Sequence, residues 1–181
     1  MSDTDSRELV KLLQGIEQRC RSQAAGLPQQ EEAPESWEGV VFSVLGTRLA
    51  VSLSEVVEML PLPPVITKVP GARPWVRGIA NNRGNLLPLI DLQAFLGGDL
   101  IVPDRRTRVF IVNHGEIFTG LLVENVMGMR HFLLEGQCEC PEMVEPLAKY
   151  VRAAFQQDGE TWPVFSAFAL AESPEFQFAA G

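Results

Sequence analysis

Val76-Arg-Gly-Ile-Ala-Asn-Asn-Arg-Gly-Asn-Leu-Leu-Pro-Leu-Ile-Asp-Leu92 reads as a strand, a tight turn at Arg83-Gly84 and a second strand. The second strand, from Asn85, is apolar on both faces, as a strand covered on both sides must be. Pro88 has no N–H to give to a ladder and points to a sheet edge or a bulge. Upstream, Gly71-Ala-Arg-Pro-Trp75 brings Arg73 and Trp75 next to Arg77 and Arg83. Arginine around an aromatic ring is a composition favoured at protein interfaces, where both offer rigid contact area.

The flanking sequence repeats the strand pattern. Val40-Val-Phe-Ser-Val-Leu45 leads through Gly46-Thr47 into Arg48-Leu-Ala-Val-Ser-Leu53, where Leu49, Val51 and Leu53 share one face, so a hairpin is expected. Arg108 to Asn113, a turn at His114-Gly115 and Glu116 to Val123 predict a second. Tyr150 to Phe155, an Asp158-Gly159 turn and Trp162 to Phe165 predict a third, with a short helix through Phe168-Ala-Leu-Ala171 after it. Short strands between turn signals indicate a sandwich or small-barrel architecture. The first two hairpins resemble each other. Val41-Phe42 and Val109-Phe110 begin them, Gly46 and Gly115 turn them, and Val56 with Met59 parallels Val126 with Met129. Either any two amphipathic hairpins look alike, or the chain holds two related barrels.

The first residues follow a different period. Leu9, Leu12, Leu13, Ile16 and Cys20 recur at helical spacing, predicting an amphipathic helix within residues 1–24 that Asp5 could cap. That helix either docks back on the body or is reserved for a partner. Residues 25–36 have few large apolar side chains and read as a linker, with the main domain over 37–175 and a tail over 176–181.

The 181 residues carry a formal charge of −8, and 46% of them are hydrophobic, which is ordinary for a globular chain. Residues 61–110 hold seven cations against three carboxylates, whereas residues 111–181 hold three against ten. The basic middle permits electrostatic steering, or merely solvates a different surface. An acidic total argues against binding along a nucleic-acid backbone. No apolar run reaches the roughly 18 to 20 residues a membrane span needs, and the start lacks the pattern of a signal peptide. Three cysteines are too few for a disulfide framework and agree with a reducing compartment, so a cytoplasmic protein is expected.

Catalytic and cofactor patterns do not emerge. The histidines are His114, in a predicted turn, and His131, in a predicted strand, and both read more readily as surface residues than as catalysts. Cys138-Glu-Cys140 with His131 lacks the usual C-x₂₋₄-C spacing and a fourth zinc ligand. No G-x-G-x-x-G follows a strand and no G-x-x-x-x-G-K-[ST] occurs. Glu142 and Glu145 fit a solvated helix face as well as an acid–base pair. No enzyme activity, cofactor or metal is expected, and the partner class is protein.

The stretch from Val76 to Leu92, with Gly78, Asn81, Arg83 and Gly84 in the order G-x-x-N-x-R-G, then a proline-containing strand and Asp91-Leu92, resembles the signature of the CheW family of chemotaxis coupling proteins. The resemblance runs over about residues 38–171, through Leu53 to Met59 and Ile117 to Val126. Asn82 stands where the family usually has an apolar residue, and Gln93 where a basic residue often follows. Lys68 to Trp75, the N-terminal helix and the Trp162 to Phe165 ending look like the branch of the family that serves type IV pilus chemosensory systems.

The resemblance implies a mostly β fold of two five-stranded SH3-like barrels with short helices. It implies an adaptor that holds a CheA-type histidine kinase and the cytoplasmic tip of a methyl-accepting chemoreceptor, located in the cytoplasm at the inner-membrane receptor array and not inserted in the membrane. Val56, Glu58 and Val126 then line the receptor side, and Asn82, Arg83 and Gly84 form the signature turn. The plain alternatives are that Val56 and Val126 are core, and that Arg83 is a surface arginine pairing Asp91 or Glu58. A strand edge within Val109 to Val123 is the expected kinase side. Two other readings are a scaffold for a different signalling or localisation partner, and coupling of flagellar chemotaxis.

Overall fold

The structure, a computed structural model, describes residues 34–178. The helix expected over residues 1–24 and most of the linker lie outside the described residues. The strands are β1 (Ser36–Val44), β2 (Thr47–Ser52), β3 (Glu58–Pro61), β4 (Val76–Asn82), β5 (Asn85–Asp91), β6 (Arg108–His114), β7 (Ile117–Val123), β8 (Asn125–Leu133), β9 (Gln137–Cys138), β10 (Val151–Gln157) and β11 (Glu160–Phe165). Short helices α1 (Leu92–Phe95), α2 (Ala167–Glu172) and α3 (Pro174–Gln177) follow β5 and β11.

The strands form two sheets, ordered β8-β1-β2-β11-β10-β9 and β3-β6-β7-β5-β4. Read in parallel, the orders match strand for strand. Each sheet centres on a hairpin (β1–β2 or β6–β7), adds an antiparallel strand outside it (β8 or β3), and adds a second hairpin (β10–β11 or β4–β5) through a parallel contact. The faint repeat is therefore real, and its halves are exchanged. The chain leaves the first sheet after β2 to build β3, β4 and β5 in the second, then leaves the second after β7 to complete the first.

The six-stranded sheet also resolves into a five-stranded barrel. β8 bends through a short 3-10 helix at Leu134–Gly136 into β9, which pairs with β10 at the far end of its own sheet. Beyond β3, Thr67 makes the equivalent bridge to Ile79 on β4. Each sheet is thus curled until the continuation of its first strand meets its last, as barrel closure requires.

Three cores hold this arrangement. Along β6, Val109 and Ile111 face the inside of the second barrel with Leu87, Leu89 and Leu122, while Phe110 and Val112 face a core shared between the barrels. Along β1, Val41 faces the first barrel with Phe132 and Trp162, while Val40, Phe42 and Val44 face the shared core. Strands buried on both faces need apolar residues at consecutive positions, which accounts for the unbroken runs in the sequence. Phe42 and Phe110 meet edge to face across the shared core, with centroids 5.3 Å apart. Such a pair contributes about 0.5–1.5 kcal/mol beyond its buried area.

Three expectations are corrected. Pro88 lies in β5, an interior strand between β7 and β4, so the edge half of its expectation fails, while the β4–β5 ladder does carry a bulge, between Val76 and Gly78. The proline is tolerated because its partner Ile79 gives its N–H and C=O to Thr67 instead, and the ladder to β7 begins only at Leu89. Val109 to Val123 offers no free edge, since β6 and β7 are both interior strands. Finally, the expected tail opens with a helical turn whose Phe176 is buried against Trp75 and Phe95.

Candidate functional site

The β4–β5 turn is built from two residues with left-handed backbone, Arg83 (φ 52°) and Gly84 (φ 88°). Two consecutive positive φ values make the tight hairpin turn whose twist matches its strands. Asn81 completes it, its side-chain oxygen accepting the Gly84 N–H at 2.8 Å. This geometry explains the asparagine, arginine and glycine of the signature at once. Asn81 satisfies the turn backbone, Gly84 tolerates the second positive φ, and Arg83 is left at the tip with its side chain 76% exposed.

Arg83 does not stand alone. Its Nη2 lies 2.7 Å from Oε1 of Glu58, whose side chain is 29% exposed. β3 and the β4–β5 hairpin are at opposite ends of their sheet, so this ion pair spans the seam where the barrel curls on itself. Asn82 is half-buried beside it. The other partner open to Arg83, Asp91, is taken by Arg77 at 3.5 Å and is wholly buried. Asp91 accepts the N–H of Ala94 at 3.0 Å, capping α1, and that of Ile101 at 2.8 Å. The signature motif therefore has an exposed end at Arg83 and a structural end at Asp91.

Val56 is buried and packs in the shared core, as the plain alternative for it has it; its side chain is not on the surface. Val126 is half-buried against the same core. Their neighbours are the exposed residues. Val57 and Met59 at β3, and Met127 and Met129 on β8, are all large apolar side chains open to solvent. Register shows which way they face. Met59 lies opposite Phe110, Val126 opposite Phe42 and Met129 opposite Val40. Opposed residues of an antiparallel pair point to the same face. Because Phe110, Phe42 and Val40 face the shared core, Met59, Val126 and Met129 carry that apolar face outward along both edge strands.

Sequence reasoning assigned no role to Val57, Met59, Met127 or Met129. A partial signal was present in the repeat, since Val56 with Met59 and Val126 with Met129 recur in sequence, although the register places Met59 opposite Phe110 and Val126, not Met129, opposite the equivalent Phe42. Exposed apolar side chains gathered on strand edges mark interaction surfaces more often than solvent-facing accidents.

The candidate chemical groups sit elsewhere and are engaged. His114 stacks on Phe168 with its Nε2 2.7 Å from Glu172, and His131 Nε2 lies 2.7 Å from Glu38. Cys138 is half-buried and Cys140 exposed, both free thiols. Among the described residues, no group of three or more histidine, cysteine and acidic side chains could hold a metal ion. In the loop before β6 the backbone N–H of Arg106, above all, holds the Asp104 carboxyl below the usual carboxylate range.

Comparison with known proteins gives the family and the fold. Residues 38–175 match the CheW-like domain family. The chain is 40% identical over 174 residues to Protein PilI of Pseudomonas aeruginosa, covering 96% of this chain and 97% of that protein. It is 27% identical over 128 residues to Protein FrzA of Myxococcus xanthus, covering 71% and 79% respectively. The solved scaffolding protein TtCheW of Thermoanaerobacter tengcongensis superposes with a TM-score of 0.66 at 23% identity, over 79% of this chain and 96% of that one, and so has the same fold.

Proposed function

This chain belongs to the CheW family, and we propose that it is a non-catalytic adaptor coupling a methyl-accepting chemoreceptor to a CheA-type histidine kinase. The observation that carries this reading is the apolar face running out of the shared core along β3 and β8. The receptor tip occupies this face. The kinase is held by its own CheW-like regulatory domain at a second surface. Similarity to PilI along nearly the whole chain supports a role in type IV pilus twitching motility. No described helix is long and apolar enough to cross a membrane, and the protein reaches the inner membrane from the cytoplasm through the receptor.

Coupling needs no chemistry in the adaptor. A receptor signal alters the kinase only if the adaptor binds the two receptor states with different free energy. A tenfold change in kinase population requires a difference of about 1.4 kcal/mol. The shared core suits this task, because the Phe42–Phe110 contact joins the barrels so that a shift at one is felt by the other.

Capture of the tagged chain from its native cells tests the reading. A receptor and a CheA-type kinase should be recovered together, and recovery of neither would point to a scaffold for other partners. Deleting the gene should abolish twitching while leaving swimming intact; the reverse outcome would move the protein to flagellar control.

A further inference from the structure

Away from the proposed receptor face, the structure contains two adjoining cavities that meet at Arg73. The first, about 600 Å³, lies between the approach to β4, α1 and the C-terminal helical turns, and is walled by Trp75, Phe95 and Tyr150 with the exposed Phe178 at its rim. The second, about 440 Å³, continues past Lys68 and Arg77. The aromatic walls are mutually braced, with Trp75 edge-on to Phe95 at 5.0 Å and both against Phe176 beneath. Such a floor is preformed and keeps its shape without an occupant.

The charge of this trough runs against the rest of the protein. Its lining contributes Lys68, Arg73, Arg77 and Lys149 against one carboxylate, Glu175, in a chain whose formal charge is −8. Arg77 is committed to Asp91, and Lys149 is 3.9 Å from Glu175. Arg73 is exposed and, among the described residues, pairs with no carboxylate. It stands between an aromatic pocket and a second pocket with apolar walls.

We propose that this trough is a binding site for an acidic peptide segment of a partner protein, with an aromatic or leucine side chain anchored between Trp75, Phe95 and Tyr150 and carboxylates held by Arg73, Lys149 and Lys68. Cations around an apolar pocket recognise charge on either side of an anchor residue, which is how a short segment gains both affinity and register. The site uses none of the residues assigned to the receptor face. It gives the adaptor a third contact, suited to a flexible acidic tail or linker.

The test is selection of phage-displayed random dodecapeptides on the full chain, followed by titration of the enriched peptides. Enriched sequences should place aspartate or glutamate around phenylalanine, tryptophan or leucine, and their affinity should fall with added salt. Arg73→Glu with Lys149→Glu should weaken them at least tenfold, whereas the charge-matched pair Arg105→Glu with Arg152→Glu should change them less than threefold. Should the double reversal disturb the melt, Arg73→Gln with Lys149→Gln replaces it and should still weaken binding severalfold. Enrichment without acidic residues, or equal losses in both charge-reversed proteins, would overturn the proposal. So would a concentration-dependent dimer that Arg73→Glu with Lys149→Glu dissolves, since the occupant would then be a second copy of this chain.

Discussion

Replacing Asp91 by alanine should be among the most damaging single changes to the fold, although it alters no apolar contact of the core. The carboxylate is wholly buried and accepts the N–H groups of Ala94 and Ile101, with Arg77 at 3.5 Å. Losing the cap of α1 costs about 1 kcal/mol. Leaving the buried Ile101 N–H without an acceptor costs about 1–3 kcal/mol more, and Arg77 loses the partner that compensates its partial burial. Together these give about 3–5 kcal/mol, at the upper end for one substitution and a large share of the 5–15 kcal/mol typical of a domain. Asp91→Asn keeps the shape but turns an acceptor into a donor, and should cost about 2–3 kcal/mol by the same reasoning. Arg77→Met leaves both N–H bonds in place but removes the cation facing a wholly buried carboxylate, and should cost about 3 kcal/mol. Urea unfolding followed by tryptophan fluorescence ranks the three proteins, with an unchanged slope confirming a loss of stability rather than of cooperativity. An Asp91→Ala protein within 1 kcal/mol of wild type would refute the assignment of this carboxylate as the anchor between β5, α1 and the following loop.

Arg83→Glu should shift the melt only slightly, because an exposed ion pair contributes about 0–1 kcal/mol, yet should lower affinity for the receptor tip or the kinase regulatory domain about thirtyfold, as loss of an interfacial arginine does; normal affinity for both partners would remove it from the site. Val57→Glu and Met129→Glu place charge on exposed positions and should leave stability within about 0.5 kcal/mol of wild type, while receptor-tip affinity falls tenfold or more in isothermal titration. Gly78→Ala should destabilise by about 2 kcal/mol or more in the same urea assay, since Gly78 has φ 136° and a Cβ there would press on the Thr67 carbonyl.

Much of the fold was legible because its hairpins combine alternation with turn residues. Leu49 and Val51 beside Gly46, and Trp162 beside Asp158-Gly159, carry their pairing in a few adjacent positions. What local pattern could not carry was neighbourhood. Val109 to Val123 alternates in the same way whether its strands lie inside a sheet or at an edge, and the strands that cover it, β3 and β5, come from earlier in the chain. Pro88 misleads because a missing N–H matters only where a ladder needs it, and that depends on partners it does not adjoin. β9 is two residues long and exists only because β8 bends toward β10.

The site was legible in part for the same reason. The signature turn is local, so Arg83 and Gly84 could be placed at a tip from sequence. Glu58 was one of the two partners expected for Arg83, and the choice of it over Asp91 is made by the curl of the barrel, which brings together residues 25 apart in the chain. Val56 and Val57 differ by one position in the irregular segment before β3, yet the first packs in the shared core and the second is exposed. No periodic pattern covers that segment, so the sequence does not say which of the two is buried.

One adaptor should hold a receptor tip and a kinase regulatory domain at the same time, through separate surfaces. Sedimentation velocity of the full chain mixed with both fragments measures this directly. A ternary species should form, from which Met129→Glu releases the receptor fragment and leaves the kinase fragment bound. Competition between the two fragments for the chain, or binding of neither, would contradict it.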